Sequence, residues 1–199
     1  GSVMKGFLKN HSYDVITMFL NQAVIAMFGF TLVLATMKMN NDALRNAVSA
    51  FAAVFYLFLL YMKAWDIGFK DKIAVEQGRK ANQPLRGALI SLCANSINFL
   101  LAIFIFLRAI FSNVALFDSL GSIAQAISMF VQGMYTGLLV NSVGGAPLNT
   151  YWISYFIIPL PAILVCGVAY YFGLHDVKHT AFFRKNEFPE SDREPQRKD

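Results

Sequence analysis

The chain has 199 residues, of which 56% are hydrophobic and only 15% charged, with a formal net charge of +5 and a mean hydropathy of +0.49. Soluble domains carry about 25% charged residues, so this composition excludes an ordinary soluble protein and indicates a single integral membrane domain. The positive charges lie in separate clusters instead of forming one basic surface, so we expect membrane lipids as partners and no nucleic acid.

The first part of the chain is predicted to lead into a membrane span. We expect residues 1–12 to form a cytoplasmic lead-in that begins with a cloning scar, and residues 13–175 to form a membrane helical bundle. Residues 15–37 carry no charge and are long enough to cross about 30 Å of hydrocarbon. Asn21 shares one helix face with Asp14, so we expect that face to point into the bundle.

A second span is predicted over residues 46–65, followed by a basic connection over residues 63–86. Positive charge next to a span favours the cytoplasmic side, where anionic lipids also attract it. We therefore interpret this stretch as a cytoplasmic loop that contacts lipid headgroups through Lys63, Lys70, Lys72, Arg79 and Lys80.

A third span is predicted over residues 87–107, and it contains a polar stripe. Ser91, Asn95 and Asn98 recur at helical spacing, so they share one face of the helix. Lipid would penalise these side chains, and the stripe should therefore face protein or water.

The fourth apolar segment, residues 119–140, is amphipathic. Gln125 and Gln132 belong to its polar face, and Gly133 and Gly137 form a pair that is typical of close helix packing, here a candidate contact for a second copy. A turn is predicted directly afterwards, because residues 141–149 are rich in Gly, Asn and Pro.

The last span is predicted over residues 150–174, with a kink at Pro159 and Pro161. Residues 176–199 have the composition of a charged, disordered cytoplasmic tail. Because basic clusters flank the membrane both after the second span and after the last one, an even number of crossings is favoured. We predict an all-α integral membrane protein with four full transmembrane helices and a fifth amphipathic or re-entrant segment, five full spans being the alternative. Both termini would then be cytoplasmic, in the plasma membrane.

The polar stripes suggest a non-catalytic function. Amide and hydroxyl side chains inside a bundle bind solutes or line a pore, and the candidates here are Asn21, Ser91, Asn95, Asn98, Gln125 and Gln132. The alternative is that they only hold helices together. We therefore predict a transport-related or solute-binding protein, with a structural or regulatory subunit of a larger membrane complex as the alternative.

A metal-dependent membrane enzyme is the third hypothesis. His175 and His179 are four residues apart and would share one helix face, as metal ligands do. Interfacial histidines without a ligand are the simpler interpretation. The sequence contains no catalytic motif and leaves open both the identity of any cofactor and whether the chain forms a homo-oligomer.

Overall fold

A computed structural model describes residues 2–39 and 41–175, with the backbone alone for residues 2–11. The fold is helical apart from one short hairpin. Its helices are α1 Ser2–Met37, α2 Asp42–Glu76, α3 Arg86–Ala94, α4 Ser96–Ile110, α5 Ala115–Val131, α6 Thr136–Leu139, α7 Trp152–Ile157 and α8 Leu160–Leu174. Two 3-10 turns lie at Gly133–Tyr135 and Leu148–Thr150, and strand β1, Ser142–Val143, pairs antiparallel with β2, Ala146–Pro147. The predicted tail, residues 176–199, lies outside the described residues.

The helices support the membrane-protein class. Three segments are long and apolar enough to cross a bilayer, namely Ser12–Met37 in α1, Asp42–Glu76 in α2, and Trp152–Leu174 across α7 and α8. Helices α3 and α4 would make a fourth crossing if the pair, bent by 55°, is counted as one span. Helix α5 is also apolar but has only 17 residues.

The outer face of helix α5 is apolar. Its large side chains, among them Ile123 and Phe130, are 57% and 59% exposed. Its buried residues are Gly121, Ala124 and Ser128. Because small and polar residues face inward and large apolar ones outward, the surface is suited to lipid.

Helix α8 runs parallel to the second half of α2 and packs closely against it. Gly68 lies against the backbone of Tyr170, and Gly173 against the backbone of Trp65, so a side chain at either glycine would collide with a main chain. Gly87 of α3 lies against the Tyr170 side chain and the Cys166 carbonyl of α8. Without a hydrophobic drive between helices in lipid, such small-residue contacts supply the packing energy.

Residues 115–141, the inserted segment, enter the bundle and turn back. Arg108 at the end of α4 holds Asp118 at 2.8 Å, which places the start of α5 at that end of the bundle. The segment then passes between α1 and α2, where the Ser49 hydroxyl donates to the carbonyl of Met134 at 2.5 Å. It ends beside Arg45, at the beginning of α2. The reversal occurs around Gln132, where α5 gives way to a 3-10 turn.

Three details differ from the sequence-based predictions. The basic stretch is helical as far as Glu76, so the loop is confined to residues 77–85. The helix continues because its Ile67, Gly68 and Asp71 face is buried in the bundle, largely against α8. The third predicted span is two helices, since the chain bends at Asn95.

The third difference concerns the glycine pair of the inserted segment. Gly133 lies against the Ala26 carbonyl of α1, and Gly137 lies against Ser49 of α2. Both contacts are within the chain, so this face is not available to a second copy. Homo-oligomerisation itself stays a prediction without an assigned surface.

Candidate functional site: a central polar cavity

A small cavity lies at the centre of the bundle, and we refer to it as the central polar cavity. It has a volume of about 10 Å³, enough for one water-sized particle. It is lined by residues from four helices, from the 3-10 turn and from the junctions between helices: Gln22, Tyr56, Asn95, Asn98, Gln132, Tyr135, Ile158, Pro159 and Ala162.

Three helix interruptions meet at this cavity, and each has a local cause. Pro159 separates α7 from α8 because proline lacks the backbone N–H and clashes with the preceding turn. At Asn95 the side-chain Nδ2 donates to the Ser91 carbonyl at 2.9 Å, which is the carbonyl that the Asn95 backbone N–H also uses. Such competition bends helices.

The third interruption lies between α5 and the 3-10 turn. Gly133 permits the main chain to approach α1 closely, and a side chain there would meet the carbonyl oxygen of Ala26. Gln22 of α1 then donates from Nε2 to the carbonyl of Val131 at 3.2 Å, which satisfies one acceptor at the end of α5. Gln132 is therefore held at the point where the inserted segment reverses.

Several polar atoms around the cavity have no hydrogen-bond partner among the described residues. They are Oε1 and Nε2 of Gln132, Oδ1 of Asn98 and the hydroxyl of Tyr135. Gln132 and Asn98 are each only 1% exposed. Buried polar groups without protein partners are costly, so a cluster of them around one cavity indicates that a water molecule, an ion or another small ligand completes their hydrogen bonds.

The orientation of Asn98 follows from its neighbour. Its Nδ2 donates to Asn95 Oδ1 at 2.8 Å, so its own Oδ1 is the atom left over for a ligand. Asn95 is in turn fixed by its bond to Ser91. The hydrogen bonds that link Ser91, Asn95 and Asn98 therefore fix the orientation of the Asn98 side chain, whose carbonyl oxygen is the unpaired atom at the cavity.

Comparison of the chain with known protein families, curated proteins and solved structures gives no match. The function must therefore be inferred from the geometry of the site.

The structure brings together some of the sequence-predicted candidates and separates others. The cavity is lined by Asn95, Asn98 and Gln132. Ser91 does not line it but accepts a hydrogen bond from the Asn95 side chain. Asn21 is only half-buried and is not among the lining residues, whereas its neighbour Gln22 is. Helical spacing placed Asn21 on the inward face, but the packing of α1 turns the next residue toward the cavity.

Gln125 belongs to a different place. It lines a wider cavity of about 370 Å³ between α4, α5 and α7, together with Arg108 and Asp118. Its Nε2 donates to the Asn149 carbonyl at 2.8 Å, and its Oε1 accepts from Arg108 at 3.2 Å. These bonds tie the middle of α5 to the end of α4 and to the 3-10 turn that follows the hairpin.

Tyr56 and Tyr135 were missed by the sequence analysis. Aromatic residues are frequent throughout this chain, and nothing in their local spacing distinguishes these two. Tyr135 also lines an apolar groove of about 260 Å³ next to the cavity, and so does Ile158. These two side chains therefore border both spaces.

The predicted lipid-contacting cations all have partners within the chain. Each of the four lysines has its Nζ near a carboxylate oxygen: 3.2 Å for Lys63 and Asp14, 2.6 Å for Lys70 and Asp66, 3.8 Å for Lys72 and Glu76, and 2.5 Å for Lys80 and Asp71. The Arg79 guanidinium donates to the side-chain oxygen of Gln77. Contact with lipid headgroups stays a prediction, now with carboxylates beside most of these cations.

A buried ion-pair network near the residue 77–85 loop was not predicted. The carboxylate of Asp71 accepts from Arg86 at 2.7 Å and from the Tyr170 hydroxyl at 2.9 Å. Both charged side chains are at most 10% exposed. The network joins α2, α3 and α8 and explains why Arg86, which looked like a loop cation, lies inside the bundle.

The described residues offer no arrangement of side chains that supports the metal hypothesis. His175 ends α8 and its Nδ1 lies 2.9 Å from the Tyr171 carbonyl, while His179 lies outside the described residues. Among residues 12–39 and 41–175, no three His, Cys, Asp or Glu side chains are grouped as metal ligands would be.

Proposed function

We propose that this chain is a small, non-catalytic membrane protein that binds a solute in the central polar cavity and takes part in its transport. In this proposal α1, α2, the α3–α4 pair and the α7–α8 pair are four full spans, and the inserted segment is re-entrant. Both termini are cytoplasmic, and the protein lies in the plasma membrane.

One observation carries the proposal: three interrupted helices bring unpartnered polar atoms of Asn98, Gln132 and Tyr135 to one enclosed point. Discontinuous helices at membrane depth are the usual way to build a substrate or ion site in transporters, because they present polar groups where a continuous helix cannot. Interhelical packing alone does not account for these atoms, since packing contacts would pair them with each other.

The neighbouring groove supports a path to the cavity. Only the side chains of Tyr135 and Ile158 are shared between the two spaces. Tyr135 follows the reversal of the inserted segment, and Ile158 lies at the α7–α8 interruption, so both belong to irregular backbone. Movement of either element would join the cavity to the groove.

A flux assay tests the transport proposal. The full chain is reconstituted into liposomes, and the uptake of Na⁺, K⁺ and small neutral solutes is measured with entrapped dyes and by light scattering. We expect uptake of at least one of these solutes, and we expect Gln132→Met to abolish it, because methionine keeps the side-chain length but removes both unpartnered atoms.

Ser128→Ala is the matched control. Ser128 is also 1% exposed and also has an unpartnered hydroxyl, but it does not line the cavity. Its flux should equal that of the wild type. If neither the wild type nor the variants transport or bind any of the tested solutes, the proposal is wrong and a structural subunit becomes the better explanation.

Cysteine labelling tests the topology separately. In a background without Cys93 and Cys166, single cysteines at Asn82, Ser112 and Ser142 are treated with an impermeant maleimide on intact cells. These three positions are exposed. We expect labelling at 112 and 142 and protection at 82; labelling of 112 and 142 from opposite sides would show that the inserted segment crosses fully.

A further inference from the structure

We propose that the ligand of the central polar cavity is a single dehydrated monovalent cation, coordinated by Asn98 Oδ1, Gln132 Oε1 and the Tyr135 hydroxyl oxygen. This inference rests on the proposed function, since it names the solute that the site would bind. It depends on the size of the cavity, the balance of donors and acceptors, and the charge around it.

The size excludes most solutes. A volume of about 10 Å³ corresponds to one water-sized sphere, whereas pockets for organic ligands have volumes of about 300–1,000 Å³. Sugars, amino acids and lipids are therefore too large for the cavity. A monatomic cation without its hydration shell is not.

Acceptor atoms outnumber donors at the cavity. Asn98 is limited to its Oδ1 because its Nδ2 is bonded to Asn95. Gln132 and Tyr135 each contribute an oxygen in addition to their hydrogens. An anion would find two donor groups, the Gln132 Nε2 and the Tyr135 hydroxyl, whereas a cation finds three neutral oxygens.

The surrounding backbone also favours positive charge. Helix α5 has 17 residues and ends at Val131, directly before Gln132, so the negative end of its dipole lies at the cavity. No helix continues in the same direction to cancel it, because the chain reverses through the 3-10 turn. Unwound segments and helix carboxyl ends are the groups that coordinate Na⁺ in transporters with interrupted helices.

The charge of the ion follows from the ligands. No Asp, Glu, Lys or Arg lines the cavity. Ca²⁺ and Mg²⁺ sites in proteins normally contain carboxylates, which balance the double charge and the cost of dehydration. Neutral oxygens alone are suited to Na⁺ or K⁺.

The experiment measures ion-dependent stability and binding with the full chain in detergent micelles. Thermal unfolding is followed in NaCl, KCl and choline chloride at equal ionic strength, and ²²Na⁺ binding is measured by scintillation proximity. We expect a saturable rise in melting temperature with Na⁺ or K⁺ relative to choline.

Two variants remove the proposed ligands. Gln132→Met and Tyr135→Phe delete atoms without protein partners among the described residues, so both should fold. Each should weaken cation binding by about 10-fold or more, as changes around a metal site commonly do. Ser128→Ala should leave the affinity unchanged.

The outcomes separate this inference from the proposed function. If all three salts give the same melting temperature while neutral-solute flux is present and sensitive to Gln132→Met, the cation assignment is wrong and the transport proposal stands. If the salts have no effect and no solute is transported, both are wrong, and the cavity holds at most a structural water. Stabilisation by CaCl₂ at far lower concentrations than by NaCl would overturn the monovalent assignment.

Discussion

Gly133→Ala is the substitution that most directly tests the insertion of residues 115–141 between α1 and α2. A methyl group at this position would collide with the Ala26 carbonyl oxygen and lie 2.8 Å from Cβ of Phe30. The carbonyl belongs to the main chain of α1 and cannot rotate away, so the inserted segment must move.

The expected cost can be bounded. Overpacking of this kind destabilises proteins by about 1–3 kcal/mol. The loss of glycine's freedom in the unfolded chain offsets about 0.4–1 kcal/mol, which leaves a net destabilisation of about 1.3 kcal/mol at the middle of the two ranges and about 2.6 kcal/mol at most. For a chain of this size the middle value corresponds to a melting temperature lower by about 3–5 °C.

The assay is thermal unfolding of the purified protein in detergent, with Gly167→Ala as the matched control. A methyl group at Gly167 would lie 3.4 Å from Cβ of Ala88, an ordinary contact, and alanine is favoured over glycine in a helix. We expect Gly167→Ala to melt at the same temperature as the wild type or higher. Equal stability of the two variants would refute the close approach of the inserted segment to α1.

Two further substitutions test other contacts by the same assay. Asp71→Asn leaves the buried Arg86 without its counter-charge and should cost about 3–5 kcal/mol, whereas Asp66→Asn breaks an exposed pair and should cost less than about 1 kcal/mol; similar losses for the two would contradict the buried network. Ser49→Ala removes the tether between α2 and the 3-10 turn and should cost about 0.6–1.7 kcal/mol. Thr31→Ala should leave the free energy of unfolding almost unchanged, since that hydroxyl bonds only its own helix. An equal loss of stability in Ser49→Ala and Thr31→Ala would show that the tether adds no stability.

Local patterns in the sequence predicted much of the architecture. The uncharged runs located the long helices. Pro159 marked the interruption between α7 and α8. The inward orientation of Asn95 and Asn98 followed from helical spacing, and both are at most 3% exposed. Each of these features depends on neighbours within a few turns of the chain.

Features that depend on distant partners were not predictable in the same way. Gln132 meets Asn98 only because Gly133 fits against α1, and a glycine in the sequence does not reveal which backbone it will approach. The sequence places Arg86 at the end of the basic stretch, residues 63–86, and does not show that its partner is Asp71 on another helix. The bend at Asn95 also escaped prediction, since an asparagine in an apolar run occurs in straight helices as well.

The partnership of α2 with α8 has a consequence for synthesis of the chain. Asp71 and Tyr170 are separated by 99 positions, so at about 5–20 residues per second the ribosome needs about 5–20 s to supply the second after the first. During that interval the face of α2 that carries Gly68 and Asp71 is in the bilayer without its final neighbour. The earlier helices must therefore persist as a partial assembly until α8 has been synthesised and inserted beside α2.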